Sequence, residues 1–296
     1  MNSFAIISDS TCDLGKDLRD KYEIDYVPMN YVVDGKEYPA MLDWVSHSAK
    51  DFYDIMRNGT RITTTQVPRE AYEERFTALL EEGKDILYIS CSSALSGSIN
   101  IATVVANELS EKYPERTICC VDSLISSLGQ GYLAIRASEL RAEGKSITEI
   151  ADYIVANRLK VHQFGCPDDL NYLKRAGRVK ASSAFFGNLF GVKPIIISDV
   201  KGQNYAMKKV KGAANARREV ASLVKESVID PENQVLFISH ADNIKDAELL
   251  RDEIMALCPF KEVYFNYIAP IVGASVGPGT TIAYCVGKEV TIEGTV

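Results

Sequence analysis

Short apolar runs without polar alternation, set between amphipathic helical stretches, constrain this fold more than any other feature of the chain. ILYIS at Ile86–Ser90 and VLFIS at Val235–Ser239 are of this kind. Strands covered by helices on both faces have that character, whereas half-exposed strands alternate. Repetition of run and helix points to an α/β fold with mostly parallel sheets flanked by helices. Strands are predicted at Phe4–Ser8, Tyr26–Val33, Ile86–Cys91, Thr117–Val121, Pro194–Asp199, Val235–Ser239, Val263–Ile268 and Thr281–Val286. Leu95, Ile99, Ala102, Ala106, Leu109 and Tyr113 recur at steps of four and three, and Pro114 stops that helix. Further helices are predicted from Pro68 to just before Gly83, from about Leu124 to Ala142, and over Ala213–Lys225 and Lys245–Ala256. Ser146 with Glu149 reads as a capping box opening a helix near Ile147–Arg158.

A length of 296 residues favours two domains. The character changes after the capped helix, where Gly165–Lys180 is loop-rich and basic, so the expected domains are 1–159 and 160–296. The net charge of −7 argues against nucleic acid as a partner, because phosphate backbones need a positive field. No stretch reaches the roughly 20 apolar residues that span a bilayer. The first residues, MNSFAIISDSTCDL, lack the basic start of a signal peptide, and the chain is read as cytoplasmic. The seven cysteines are scattered, show no metal-ligand spacing and read as reduced thiols, with no metal site.

Four strand ends run into loops rich in small hydroxyls. They are Ser8-Asp9-Ser10-Thr11, Thr63-Thr64-Thr65, Ser90 through Ser98, and Asp122-Ser123 with Ser126-Ser127. Ligands of open α/β sheets bind beyond the carboxyl ends of strands, where hydroxyls and helix-start N–H groups hold anions. The alternative is that each hydroxyl caps its own helix. No G-x-S-x-G occurs, and His47, His162 and His240 stand alone, so a serine hydrolase lacks its base. No dinucleotide or phosphate-loop motif is present, and no cofactor is expected. Ala181–Val192 carries no charge, with Phe185, Phe186, Leu189 and Phe190 at helical spacing; it is either a core helix or the wall of an apolar pocket. The cations of Leu173–Lys180, Lys174, Arg175, Arg178 and Lys180, form either a solvated face or a docking patch for an acidic partner.

Seven segments, taken in order, resemble the DegV family over essentially the whole chain. They are Asp9-Ser10-Thr11-Cys12-Asp13-Leu14, Thr64-Thr65-Gln66, Ser92-Ser93-Ala94-Leu95-Ser96-Gly97, Asp122-Ser123 with Gly129 and Gly131, Leu173 through Arg178, Lys193-Pro194, and Gly277-Pro278-Gly279. The resemblance implies two α/β domains with a long-chain fatty acid bound between them. It also implies a non-catalytic role as the lipid-binding subunit of bacterial fatty acid kinase. A separate catalytic subunit would phosphorylate the carboxylate, and the acyl phosphate would enter phospholipid synthesis. On that likeness Thr64 is the carboxylate-binding threonine and Ser96 its serine partner, with Ser93, Thr65, Gly97 and Ser275 completing the head-group set. Phe185, Phe186, Leu189 and Phe190 are the candidate tail contacts. Arg178 matches the family arginine near the kinase surface, with Lys174 and Arg175 beside it, and a passing contact with a membrane surface is allowed for. Ser275 stands where many members carry a histidine. Two other readings stay open: a lipid sensor without a kinase, and a hydrolase or transferase using the hydroxyl loops.

Overall fold

The computed structural model describes residues 3–182, 185 and 191–295. The first half of the chain forms β1 (Phe4–Asp9), α1 (Lys16–Tyr22), β2 (Ile24–Val27), β3 (Asn30–Val33), β4 (Lys36–Pro39), α2 (Ala49–Arg57), β5 (Thr63–Thr65) and α3 (Arg69–Glu81). It continues through β6 (Asp85–Ser90), α4 (Ser98–Lys112), β7 (Ile118–Asp122), α5 (Ser127–Ala142) and α6 (Ile147–Asn157). Then come β8 (Val161–Cys166), α7 (Asn171–Ala176), β9 (Val192–Ser198), β10 (Asn204–Lys211) and α8 (Ala213–Ser227). The last elements are β11 (Val235–His240), α9 (Ile244–Leu257), β12 (Glu262–Tyr267), α10 (Pro270–Val276) and β13 (Thr281–Val286).

These strands make three sheets, in the orders β2-β1-β6-β7, β4-β3-β5 and β10-β9-β8-β13-β11-β12. The α/β class holds, and the expectation of mostly parallel pairing is met by the first sheet, which is wholly parallel. It needs correcting for the six-stranded sheet, where only β11 and β12 run parallel. Buried apolar runs fit either pairing once both faces are covered, so composition carries no direction.

α5 explains how the sheets pack. It lies between the parallel sheet and the six-stranded one, and eleven of its sixteen residues are buried. Gly131 allows this, because a Cβ there would sit 2.7 Å from the Cys12 carbonyl oxygen and 2.7 Å from Leu14 Cδ2. Glycine to alanine in a helix normally gains up to about 1 kcal/mol. Overpacking against backbone costs about 1–3 kcal/mol and decides the sign. Gly131→Ala is therefore expected to lower the urea midpoint; a raised midpoint would mean the two layers can part without cost.

A core runs continuously from the parallel sheet through α5 onto Ile196, Phe237, Ile282 and Tyr284 of the large sheet. A second core fills the far side of that sheet, under α8 and α9. The last turn before α10 is tied to the first half of the chain at three points. The Tyr53 hydroxyl donates to the Ile268 carbonyl at 2.6 Å, the Ala269 N–H donates to Asp13 at 3.0 Å, and the Asn266 amide donates to the Asp13 carbonyl at 2.6 Å. These bonds set α10 against the small sheet and so place one wall of the site.

Candidate functional site

Asp9 organises the carboxyl end of β1. It is fully buried, and Oδ1 accepts from the Thr11 N–H at 3.0 Å and from the Thr11 hydroxyl. Oδ2 accepts from the Cys91 N–H at 2.9 Å and the Tyr88 hydroxyl at 3.1 Å. One carboxylate thus joins the loops after β1 and β6. Several hydroxyls in those loops are structural, as the capping alternative has it. Ser8 donates to the Ile89 carbonyl, Ser10 accepts from the Met29 N–H, and Ser92 and Ser123 bond within their own turns.

Other hydroxyls meet around a cavity of about 160 Å³. Thr64, Thr65, Ser96, Gly97 and Ser275 all line it, so five of the six expected head-group residues come together. Ser93 does not: it is exposed, and its N–H is spent on Asp122 at 3.1 Å. Thr11 and Ser126, from two of the hydroxyl loops expected to hold an anion, also line the cavity, as does Gln66, although none of the three is in the expected head-group set. Ser126 sits at the N-cap of α5, yet its hydroxyl caps nothing. No hydrogen bond among the described residues engages the Thr64 hydroxyl, and the Ser96 hydroxyl shares 3.0 Å with that of Ser98. Gly97 is the N-cap of the fifteen-residue α4, and a Cβ there would come within 2.5 Å of Gln66 Oε1. The positive end of that helix faces the same space.

The remaining wall is apolar: Met29, Cys91 and Leu95 from the first half, with Ile271, Val272 and Val276 of α10. α10 escaped the sequence reading because its PIVGASV has no amphipathic period; it is buried almost all round. Arg178, expected on a docking face, also lines the cavity. Its Nε donates to the Leu95 carbonyl at 2.9 Å and its Nη1 to the Ala176 carbonyl at 2.7 Å. Asn204, whose side chain donates to the Arg178 carbonyl at 3.0 Å, steadies that segment. No acidic residue lines the cavity and Arg178 does, so its field suits an anion. Lys174 and Arg175 are exposed on α7. Of the expected tail contacts, Phe185 is half-buried against the main core, lies 4.9 Å from Lys209 Nζ and does not line the cavity. Phe186, Leu189 and Phe190 fall outside the described residues.

Among the described residues, no histidine lines the cavity and no cluster of His, Cys, Asp and Glu could hold a metal. No helix among them is long and apolar enough to cross a membrane.

Asp13 lies behind this site, where the two halves meet. Both oxygens are engaged, by the Ser127 hydroxyl and the Ala269 N–H, but burial pushes its carboxyl up to about 8. A raised carboxyl pKa means the folded chain holds a proton that the unfolded chain has released. Its contribution to stability is present below the unfolded value near 4 and is lost as pH rises to about 8. Burial lowers His162 and, to about 4, His240, which acts in the opposite sense at acid pH. The comparison that isolates Asp13 is therefore variant against wild type. Asp13→Asn is expected to gain stability relative to wild type between pH 5 and 8; a constant difference across that range would contradict the shift.

The DegV family model, described as that of an uncharacterised protein, matches residues 3–288. A DegV domain-containing protein of Clostridium perfringens is 33% identical over 97% of this chain and 98% of its own length. Among solved structures, a DegV family protein from Thermus thermophilus described by its fatty acid binding superposes with a TM-score of 0.88 at 26% identity, covering 97% of this chain and all of that one. DegV of Bacillus subtilis, described as a fatty acid binding protein, gives 0.82 at 26% identity, covering 97% of this chain and all of that one.

Proposed function

Since the chain belongs to the DegV family, we propose that it binds one long-chain fatty acid and presents the carboxylate to a partner kinase. The observation that carries the reading is the cavity itself, where the unengaged hydroxyls of Thr64 and Ser126, a helix start and Arg178 meet an apolar wall with no acid among the lining residues. The fatty-acid-binding descriptions of the Thermus and Bacillus proteins support it. Thr64 and Ser96 grip the carboxylate with Thr65, Gly97 and Ser275 around it, and each charge-assisted bond contributes about 1.5–3 kcal/mol. Residues 1–159 supply these loops, and 160–296 supply Arg178 and α10.

The tail starts along Ile271, Val272 and Val276. At roughly 30 Å³ per water-sized group, the cavity holds the head group and the first methylenes. A full tail requires neighbouring side chains to move apart. The about 0.8 kcal/mol gained per buried methylene favours that opening. The carboxylate stays near the surface, where a kinase can reach it. In this reading the chain supplies no catalytic residue, takes no cofactor and works in the cytoplasm, feeding phospholipid synthesis. Lys174 and Arg175 contribute to docking.

The deciding experiment incubates the loaded protein with ATP, with and without a candidate kinase subunit, and assays acyl phosphate. Product only with the kinase is expected. Product without it makes the chain an enzyme. None with any such kinase, while the lipid stays bound, leaves a lipid sensor.

A further inference from the structure

The lining residues of the head-group cavity divide by exposure. Thr65 and Gln66 are exposed and Thr64 and Ser96 half-buried, which marks the mouth. Thr11, Met29, Cys91 and Ser126 are all buried and mark the inner end. The buried hydroxyl and amide groups of the lining are spent, with one exception. The Thr11 hydroxyl lies against Asp9 and, at 2.7 Å, against Gln130 Oε1. The Asn204 side chain accepts from Gln163 at 2.9 Å and donates to the Arg178 carbonyl at 3.0 Å. Ser126 is only 6% exposed, and its hydroxyl has no hydrogen-bond partner among the described residues.

That hydroxyl has an ordinary use which it forgoes. Ser48 and Ser146 stand at the N-caps of α2 and α6, and each accepts from an N–H of its own helix, as serine caps do. Ser126 holds the same place on the sixteen-residue α5 and makes no such bond. Its side chain serves the cavity and not the helix. A buried hydroxyl without a partner is rare in a folded chain and calls for a ligand group or a water. A methylene laid against it leaves it unsatisfied, whereas a hydroxyl on the ligand satisfies both. Sites that bond a ligand hydroxyl reject the analogue lacking it far better than an apolar pocket separates chains by one methylene. At roughly 30 Å³ per water-sized group, a cavity of about 160 Å³ holds about five such groups. With the carboxylate at the mouth, the inner end receives the first few carbons of the chain.

We propose that Ser126 selects a hydroxyl near the carboxyl end of the acyl chain, so that the preferred ligand is a 3-hydroxy fatty acid and not the unsubstituted acid. The proposal rests on the lipid-binding reading and names the class of acid within it. The carboxylate stays with Thr64 and Ser96, and Ser126 bonds the chain.

The test is a competition between stearate, 3-hydroxystearate and 12-hydroxystearate for the full-length chain, stripped of any co-purified lipid and read by native mass spectrometry. Ser126→Ala and Ser126→Thr are run beside the wild type. The wild type is expected to prefer 3-hydroxystearate to stearate roughly tenfold, the worth of one hydrogen bond in a dry site, and to treat 12-hydroxystearate as stearate. Ser126→Ala is expected to bring the preference within twofold of none. Ser126→Thr, which keeps the hydroxyl, is expected to retain most of it. Thermal melts of both variants within a few degrees of wild type are expected, since Ser126 caps nothing. Equal weakening of stearate and 3-hydroxystearate in Ser126→Ala places Ser126 in the carboxylate grip and overturns the proposal. A wild type that takes stearate without preference, or prefers 12-hydroxystearate, overturns it as well and leaves the lipid-binding reading intact. A wild type that takes none of the three acids refutes that reading and the proposal with it.

Discussion

Asp9→Ala is expected to be the most damaging single substitution in the chain, lowering stability by several kcal/mol and leaving little soluble protein. The carboxylate has no exposure and four donors converge on it: two from Thr11, the Cys91 N–H and the Tyr88 hydroxyl. Alanine strands the two N–H groups and the Tyr88 hydroxyl away from water. A buried donor left unsatisfied costs about 1–3 kcal/mol. Their sum is comparable with the whole stability of a typical domain, about 5–15 kcal/mol. The Tyr88 hydroxyl keeps a contact with that of Tyr72 at 2.6 Å, which limits the loss. The same substitution leaves the side chain of Thr11, a cavity residue, held only by the bond from its hydroxyl to Gln130 Oε1 at 2.7 Å, so lipid retention is expected to fall with it. Urea unfolding of whatever soluble fraction is recovered checks this; a midpoint close to wild type would show that Asp9 is not a hub.

The double variant Thr64→Ala with Ser96→Ala is expected to behave in the opposite way, folding normally and failing to hold its ligand. The Thr64 hydroxyl has no hydrogen-bond partner among the described residues, and Ser96 gives up a 3.0 Å contact with Ser98 and a weak one from the Ser98 N–H at 3.3 Å. Little stability therefore depends on either. Each bond to a carboxylate is worth about 1.5–3 kcal/mol, so losing two weakens binding by about two to four powers of ten. Thermal melts within a few degrees of wild type, together with empty protein after purification, are the expected pair of results. Full occupancy in the double variant would move the head group elsewhere.

What could be read from residue order alone has a physical boundary. Periodicity is local, so the fully buried β6 and the apolar face of α4 were legible, and β13 was placed at Thr281–Val286 to the residue. The single strand expected over Tyr26–Val33 is two, β2 and β3, which belong to different sheets and part at Pro28 and Met29. Four strands are left unread: β8, a buried central strand whose VHQFGC breaks the apolar run with histidine, glutamine and glycine, and three that are short or charged. β5 is only Thr63–Thr65, β4 is an edge strand reading KEYP, and β10 carries three lysines on the edge of the large sheet. Edge strands take such residues to stay unpaired, which erases the apolar signal. Strand direction in the large sheet is set by crossovers, which no single segment encodes.

The site divides in the same way. Thr64, Ser96 and Gly97 lie at strand ends and a helix start, places a pattern can mark. The apolar wall of α10 and the presence of Arg178 in the cavity depend on contacts across more than eighty residues, such as that from Arg178 to Leu95. Arg178, expected on a docking face, thus stands in the cavity. Ser275 occupies α10 with its hydroxyl 3.4 Å from the Ile271 carbonyl, a weak bond that a carboxylate could replace.

Native mass spectrometry of the freshly purified, full-length protein tests the central claim most directly. A mass excess matching a single long-chain fatty acid per chain, released on denaturation and absent from the Thr64→Ala, Ser96→Ala double variant, is the predicted result. A chain that carries no lipid and takes up none on incubation with palmitate would contradict the account.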